Sequence, residues 1–267
     1  MPAFRSYIRP QSLEEAYQLC LKPGNLLIGG MLWSKMLSLN YNTAVDLCDL
    51  HLDYIEEEKD CFRIGAMTPL RSMEIHKGLD SASGGAFREA LRPIVGVQFR
   101  NGATAGGSVW GRYGFSDVMT LFMALGARVE LFHGGVMDIR DFASMSRKVR
   151  DVLVQIILPR DFQETVYLSQ RNSATDFPVL TCAFSRVGGR CQCAVGARPG
   201  MAALVADAEG VLSPSVTESG AEAFADKTAS LLEFGSNMRA GAEYRRHLCR
   251  VLVRRAAMMS REVRHGN

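Results

Sequence analysis

The stretch from Gln98 to Leu131, QFRNGATAGGSVWGRYGFSDVMTLFMALGARVEL, constrains this chain more than any other. It sets the pair Gly106-Gly107 nine residues ahead of Ser116-Asp117, and an apolar run follows. Residues without a Cβ let the backbone turn with positive φ and bring amide N–H groups close to an anion. Ser116-Asp117 offers an N-cap to a helix over VMTLFMALG. A bend that can approach charge, followed by a capped apolar helix, is the pattern of a chain that holds a phosphorylated ligand.

With 267 residues, 47% of them apolar, the chain can bury a substantial core as one large or two modest domains. Its 31 basic and 28 acidic residues leave a net charge of +3, too balanced to make nucleic acid a partner. The basic tail from Arg239 to Arg264 is the exception. On a helix over Ala242 to Met259, its arginines interleave with Leu248, Val251, Leu252 and Val253, which reads as a solvated face with an apolar stripe turned inward, one that can also meet a partner subunit. No run of about 18 uncharged apolar residues occurs, and the start MPAFRSYIRPQS lacks an apolar signal region, so no membrane partner and a cytoplasmic location are expected. Seven cysteines without CxxC spacing and five separated histidines argue against a disulfide framework and a metal site. Cys191 and Cys193 alternate as on one strand face, which implies burial of both thiols.

Hydrophobic periodicity and turn residues divide the chain further. Ser12-Leu13-Glu14-Glu15 is a capping box for a helix through Leu21, stopped by Lys22-Pro23-Gly24. Leu26 to Ile28 reads as a strand ending in Gly29-Gly30, with a helix through Trp33 and Met36 after it. Short strands occupy 44–65, helices start at Thr68-Pro69 and cover Ala86 to Leu91, and strands cover Arg128 to Phe132 and Val152 to Leu158. Beyond residue 163, strands are expected at Thr165 to Gln170, Val179 to Phe184 and Arg190 to Gly196, with helices at Met201 to Ala208, Ala221 to Leu232 and Ala242 to Met259. The expected class is α+β, with one domain over 1–162, itself two lobes divided near 50–60, and a smaller one over 163–267.

Neither glycine pair fits GxGxxG or GxxxxGK[ST], so a Rossmann or Walker reading is poor. Either pair alone reads as well as a plain tight turn. Two pairs, each after a strand-like run and before a helix-compatible one, could line the same pyrophosphate.

QFRNGATAGGS, together with FRSYIRPQSLEEAYQL, FRIGAMTPLRSMEIH, FREALRPIVG, DVLVQIILP and AEYRRHLCRVLVRRA, resembles the flavin-binding (medium) subunit of the molybdenum hydroxylases, the group that includes xanthine dehydrogenase and aerobic carbon monoxide dehydrogenase. The resemblance covers nearly the whole chain. It implies the two-lobed FAD-binding domain of the molybdenum hydroxylase and vanillyl-alcohol oxidase type, with FAD contacted by Leu27, Ile28, Gly29, Gly30, Met31, Leu32 and Trp33, by Thr104, Ala105, Gly106, Gly107 and Ser108, and by Ser116 and Asp117. Val109 and Trp110 would lie beside the flavin ring; Trp110 reads equally as a buried anchor, and Arg100 and Asn101 could equally brace the turn or touch FAD. Asp176 reads as a turn former.

The resemblance further implies a large partner with a molybdenum cofactor, a small partner with two-iron two-sulfur clusters, and electrons leaving through FAD to NAD or another acceptor. No catalytic residue is expected in this chain. It departs from the family pattern at Met31-Leu32, where a polar pair is usual, at Ser108, where Asn or Asp is usual, and at Ser169, where a Lys is usual and Arg171 could compensate. These departures motivate a rival reading, a flavin-depleted structural subunit; a third is a free-standing flavin reductase.

Overall fold

Three sheets in chain order carry the architecture of the computed structural model, which describes residues 2–36 and 38–263. The first is parallel, in the order β1-β3-β2, built from β1 (Ala3–Ile8), β2 (Leu26–Ile28) and β3 (Asn40–Asp46), with α1 (Leu13–Leu21) between β1 and β2. The α1 cap forms as the sequence predicts. Ser12 Oγ accepts from Glu15 N–H at 3.1 Å, and the Glu15 carboxylate accepts from Gln11 N–H at 2.8 Å.

The second sheet is antiparallel, in the order β4-β5-β8-β6-β7. After β4 (Ile55–Glu57) and β5 (Cys61–Gly65) the chain leaves it for α2 (Leu70–Ile75), α3 (Lys77–Ala82), α4 (Ala86–Leu91), α5 (Val97–Gly102), α6 (Ala105–Trp110) and α7 (Asp117–Ala124). It returns with β6 (Arg128–Leu131) and β7 (Gly135–Asp138), then α8 (Ile139–Ser144) and the central β8 (Leu153–Pro159). All eight residues of α7 are buried, six of them apolar, with the polar Asp117 and Thr120 hydrogen-bonded inside.

The third sheet, β12-β11-β10-β9, is antiparallel: β9 (Phe162–Arg171), β10 (Pro178–Val187), β11 (Arg190–Gly196) and β12 (Ala203–Ala206), packed on α9 (Glu218–Leu231) and α10 (Ala242–Val263). Cys191 and Cys193 are both buried in this core, as the strand alternation implies. Its other face meets α7, where Thr120 Oγ1 and Thr181 Oγ1 share a hydrogen bond of 2.9 Å and Gln192 Nε2 donates to Ala124 O at 2.8 Å. The helix predicted first from the glycine segment thus packs the third sheet onto the core of the preceding elements. The architecture is the mixed α+β kind expected.

Two elements differ from expectation. Ala203–Ala206 is an edge strand rather than part of a helix, because ladder pairing with Gln192–Val195 satisfies its backbone and buries Val205, overriding a weak alanine preference for helix. After Gly30 only a 3₁₀ turn, Ser34–Met36, forms. On α10, Arg245 is fully buried rather than solvated; Arg264, the end of the basic tail, lies outside the described residues. No helix among the described residues is long and apolar enough to cross a membrane.

Candidate functional site

The two glycine bends touch. A Cβ on Gly30 would lie 1.4 Å from Gly102 O, and one on Gly29 would lie 3.0 Å from Thr104 Oγ1. On the far side of the second bend, a Cβ on Gly106 would stand 2.7 Å from Ala66. Close backbone approach is therefore the reason for glycine here. The positive φ expected at the glycine pair is not found there: Gly106 and Gly107 are helical within α6, and the left-handed residue is Met31, at φ 56°.

The bends also differ in the donors they offer. Ala105 N–H donates to Thr68 O at 2.8 Å, Gly106 N–H to Ala66 O at 2.7 Å and Gly107 N–H to the capping Thr104 Oγ1 at 3.1 Å. Those amides are spent inside the chain, a correction to the expectation of two donor bends. For the N–H groups of Gly30, Met31 and Leu32 no acceptor exists among the described residues. The first bend supplies free donors; the second supplies room.

Both bends line one cleft of about 450 Å³. Of the predicted residues, Leu27 to Trp33, Thr104, Gly106, Gly107, Ser108 and Trp110 line it. Ala105 and Val109 do not: both are fully buried in the core. Trp110 is half-buried at the wall, its ring 5.6 Å from that of Phe142. Sequence reasoning missed Ala66, Met67, Tyr113 and the loop Arg147-Lys148-Val149-Arg150, all of which line this cleft. The signal available for the loop was its cluster of three cations immediately before β8.

Leu32, Trp33, Ser108 and Tyr113 also border a second, more apolar cleft of about 310 Å³, which holds Ser116 and Asp117. Trp33 there meets Phe99, Phe115 and Phe177 with ring centroids 5.0 to 5.6 Å apart. Asp117 is buried and takes hydrogen bonds from the Tyr167 hydroxyl and the Arg171 guanidinium. Burial raises the Asp117 carboxyl, against the pull of Arg171 and Tyr167, and also drives the Tyr167 phenol well above its ordinary value. Arg171, the expected compensating charge, is thus already neutralised, although its Nε is buried without a partner. Val95 and Thr175, both β-branched and left-handed at φ 49° and 70°, stand in the same wall. Strain of this kind concentrates where a site over-determines the backbone.

Arg100 settles as a brace. Its Nε donates to Glu74 at 2.7 Å and its Nη1 to Ile94 O at 3.0 Å, both partners of the ion pair being almost fully buried. Asp176 makes its own turn, accepting from Phe177 N–H at 2.7 Å. Among the described residues no cluster of three metal-ligating groups occurs.

The sequence profile described as "FAD binding domain in molybdopterin dehydrogenase" matches residues 2–161, and that of the "CO dehydrogenase flavoprotein C-terminal domain" matches 165–259. The uncharacterized protein YgfM of Escherichia coli K12 is 25% identical over 181 residues, 66% of this chain and 68% of its own length. Among solved structures, the fold resembles a carbon monoxide dehydrogenase of Hydrogenophaga pseudoflava lacking the Mo-pyranopterin moiety of its molybdenum cofactor (TM-score 0.85, 22% identity, 97% of this chain and 99% of that one). It equally resembles the quinoline 2-oxidoreductase of Pseudomonas putida 86 (TM-score 0.84, 22% identity, 98% of each chain).

Proposed function

The chain belongs to the family of FAD-binding domains of molybdopterin dehydrogenases, and from that premise we propose that it is the electron-transferring subunit of a cytoplasmic, xanthine dehydrogenase-like heterotrimer. In this reading a large partner carries the molybdenum cofactor and hydroxylates a purine-like or other heteroaromatic substrate. A small partner with two-iron two-sulfur clusters relays the electrons, and NAD or another acceptor receives them from this chain. The domains over 1–162 and 163–267 are read as cofactor cradle and cover.

The residues present fit FAD. The observation that carries this is the set of free N–H groups at Gly30, Met31 and Leu32, opening on a cleft whose two walls are so close at Gly30 and Gly102 that no Cβ fits between them. Bound there, FAD supplies the capacity to take up and pass on electrons that side chains lack. The residues of this chain bind and orient. Gly30 to Leu32 would donate to phosphate oxygens, Thr104 keeps its hydroxyl hydrogen while Ser108 Oγ spends its own on Thr104 O at 2.9 Å, and the aromatic cleft around Trp33 would exclude water from a flat ring. Asp117 and Arg171, joined and desolvated, hold a fixed dipole at its floor.

A visible spectrum of the purified chain with FAD tests the reading. Flavin bands near one equivalent are expected, and co-purified companions rich in molybdenum and iron would place it in its complex. The rival, a subunit that supports assembly without flavin, draws on Met31 and Leu32 at positions usually polar and on the spent amides of Ala105 to Gly107. A well-folded chain that stays colourless in excess FAD would decide for it.

A further inference from the structure

We infer that the loop Arg147-Lys148-Val149-Arg150 is the electrostatic half of the cofactor cleft, supplying to a diphosphate the positive charge that neither glycine bend provides; this rests on the FAD reading above. The loop runs from α8 to β8 along the wall of the wider cleft. Arg147 is pinned by donating to Gly111 O at 3.1 Å and Arg112 O at 2.7 Å, and Arg150 by donating to Cys20 O at 3.0 Å. Carbonyl acceptors fix a guanidinium without cancelling its charge, and each guanidinium has further N–H groups to offer.

No ion pair involves Arg147, Lys148 or Arg150 among the described residues. The adjacent acid, Asp151, spends its carboxylate on the N–H groups of His133, Gly134 and Val152 at 2.8 to 3.1 Å. A further buried cation, Arg112, sits beside the paired rings of Trp110 and Phe142, 5.9 and 5.1 Å from their centroids, without a carboxylate. Its neighbour Arg147 adds like charge. In the narrower cleft the buried cation, Arg171, is neutralised by Asp117, which leaves Lys35 as a single unpaired cation on its lining among the described residues. Three uncompensated cations therefore collect on the cleft that the free amides of Gly30 to Leu32 also line. An anion held between the two relieves their repulsion, and bidentate guanidinium contacts suit phosphate.

The test is equilibrium titration of the full-length apo-chain with FAD and with riboflavin, which has no phosphate, followed by flavin fluorescence at several salt concentrations. Arg147→Gln/Arg150→Gln is expected to weaken FAD by about tenfold or more and to flatten its salt dependence, with riboflavin affinity unchanged. Arg147→Lys/Arg150→Lys, which keeps the charge, should recover most of the FAD affinity. An FAD affinity in the Gln variant equal to that of the parent overturns the inference, as does an equal loss of FAD and riboflavin, the mark of a loop that merely props the wall. A parent chain that takes up no FAD overturns the cofactor reading, and the inference with it.

Discussion

At the scale of single residues, contact distances and burial decide which substitutions matter. Gly30→Ala forces a methyl onto Gly102 O, 1.4 Å away, so the bends must part; a loss of about 1–3 kcal/mol or more in stability is expected in thermal unfolding, with weakened FAD uptake. Met31 sits in the left-handed region, which disfavours a long side chain by on the order of 1 kcal/mol but tolerates asparagine. Met31→Asn should therefore raise the melting temperature and return a polar side chain to the bend. At Glu74, burial on its own would raise the carboxyl, but hydrogen bonds and charge from Arg100 and Arg71 outweigh it and hold it below its ordinary value. A depressed carboxylate stabilises the fold above its unfolded value of about 4.3, and that contribution is lost as pH falls through the lower folded value. Arg100→Met, which leaves Glu74 with Arg71 as its remaining cation, should cost about 1–3 kcal/mol near neutral pH, and the deficit should shrink below about pH 4.3 in melts run across that range.

Among the elements, α7 and α10 show how local sequence and packing combine. Ser116 Oγ accepts from Met119 N–H at 3.1 Å, so Ser116→Ala should destabilise α7 by about 1 kcal/mol. Because α7 bears Asp117 at one end and packs between the third sheet and α4, α6 and α8, that loss should appear as faster hydrogen exchange on both sides of the helix. The arginines of α10 looked alike in sequence, yet Arg245 donates to Val179 O, Gly235 O, Ala240 O and Asn237 Oδ1 from within the core. A residue whose guanidinium makes four hydrogen bonds, three of them to the loop before its helix and one to β10, gives no periodic signal. The same holds for Ala203–Ala206, whose strand state depends on a neighbour distant in the chain. Capped helices such as α1 and α7 were legible because their start signals lie within four residues.

For the molecule as a whole, FAD should act as a stabilising ligand. At a free concentration 100 times its dissociation constant, uptake is worth about 2.7 kcal/mol, so the melting temperature of the chain should climb with added FAD and not with riboflavin to the same degree. The amino-acid sequence by itself determined the α+β class, most strands and capped helices, both glycine bends and the resemblance that led to a flavin, since each depends on short-range spacing or on a string of residues long enough to be specific. Only the tertiary structure decided that the bends touch at Gly30 and Gly102, that the amides of the second are consumed by Ala66, Thr68 and Thr104, that Asp117 takes Arg171 for itself, and that an unpaired basic loop faces the cleft. Whether a donor is free or a charge is cancelled depends on which atoms lie within about 3 Å of it, and apart from the local Thr104 cap those atoms belong to residues distant in the chain that become neighbours only when the sheets close.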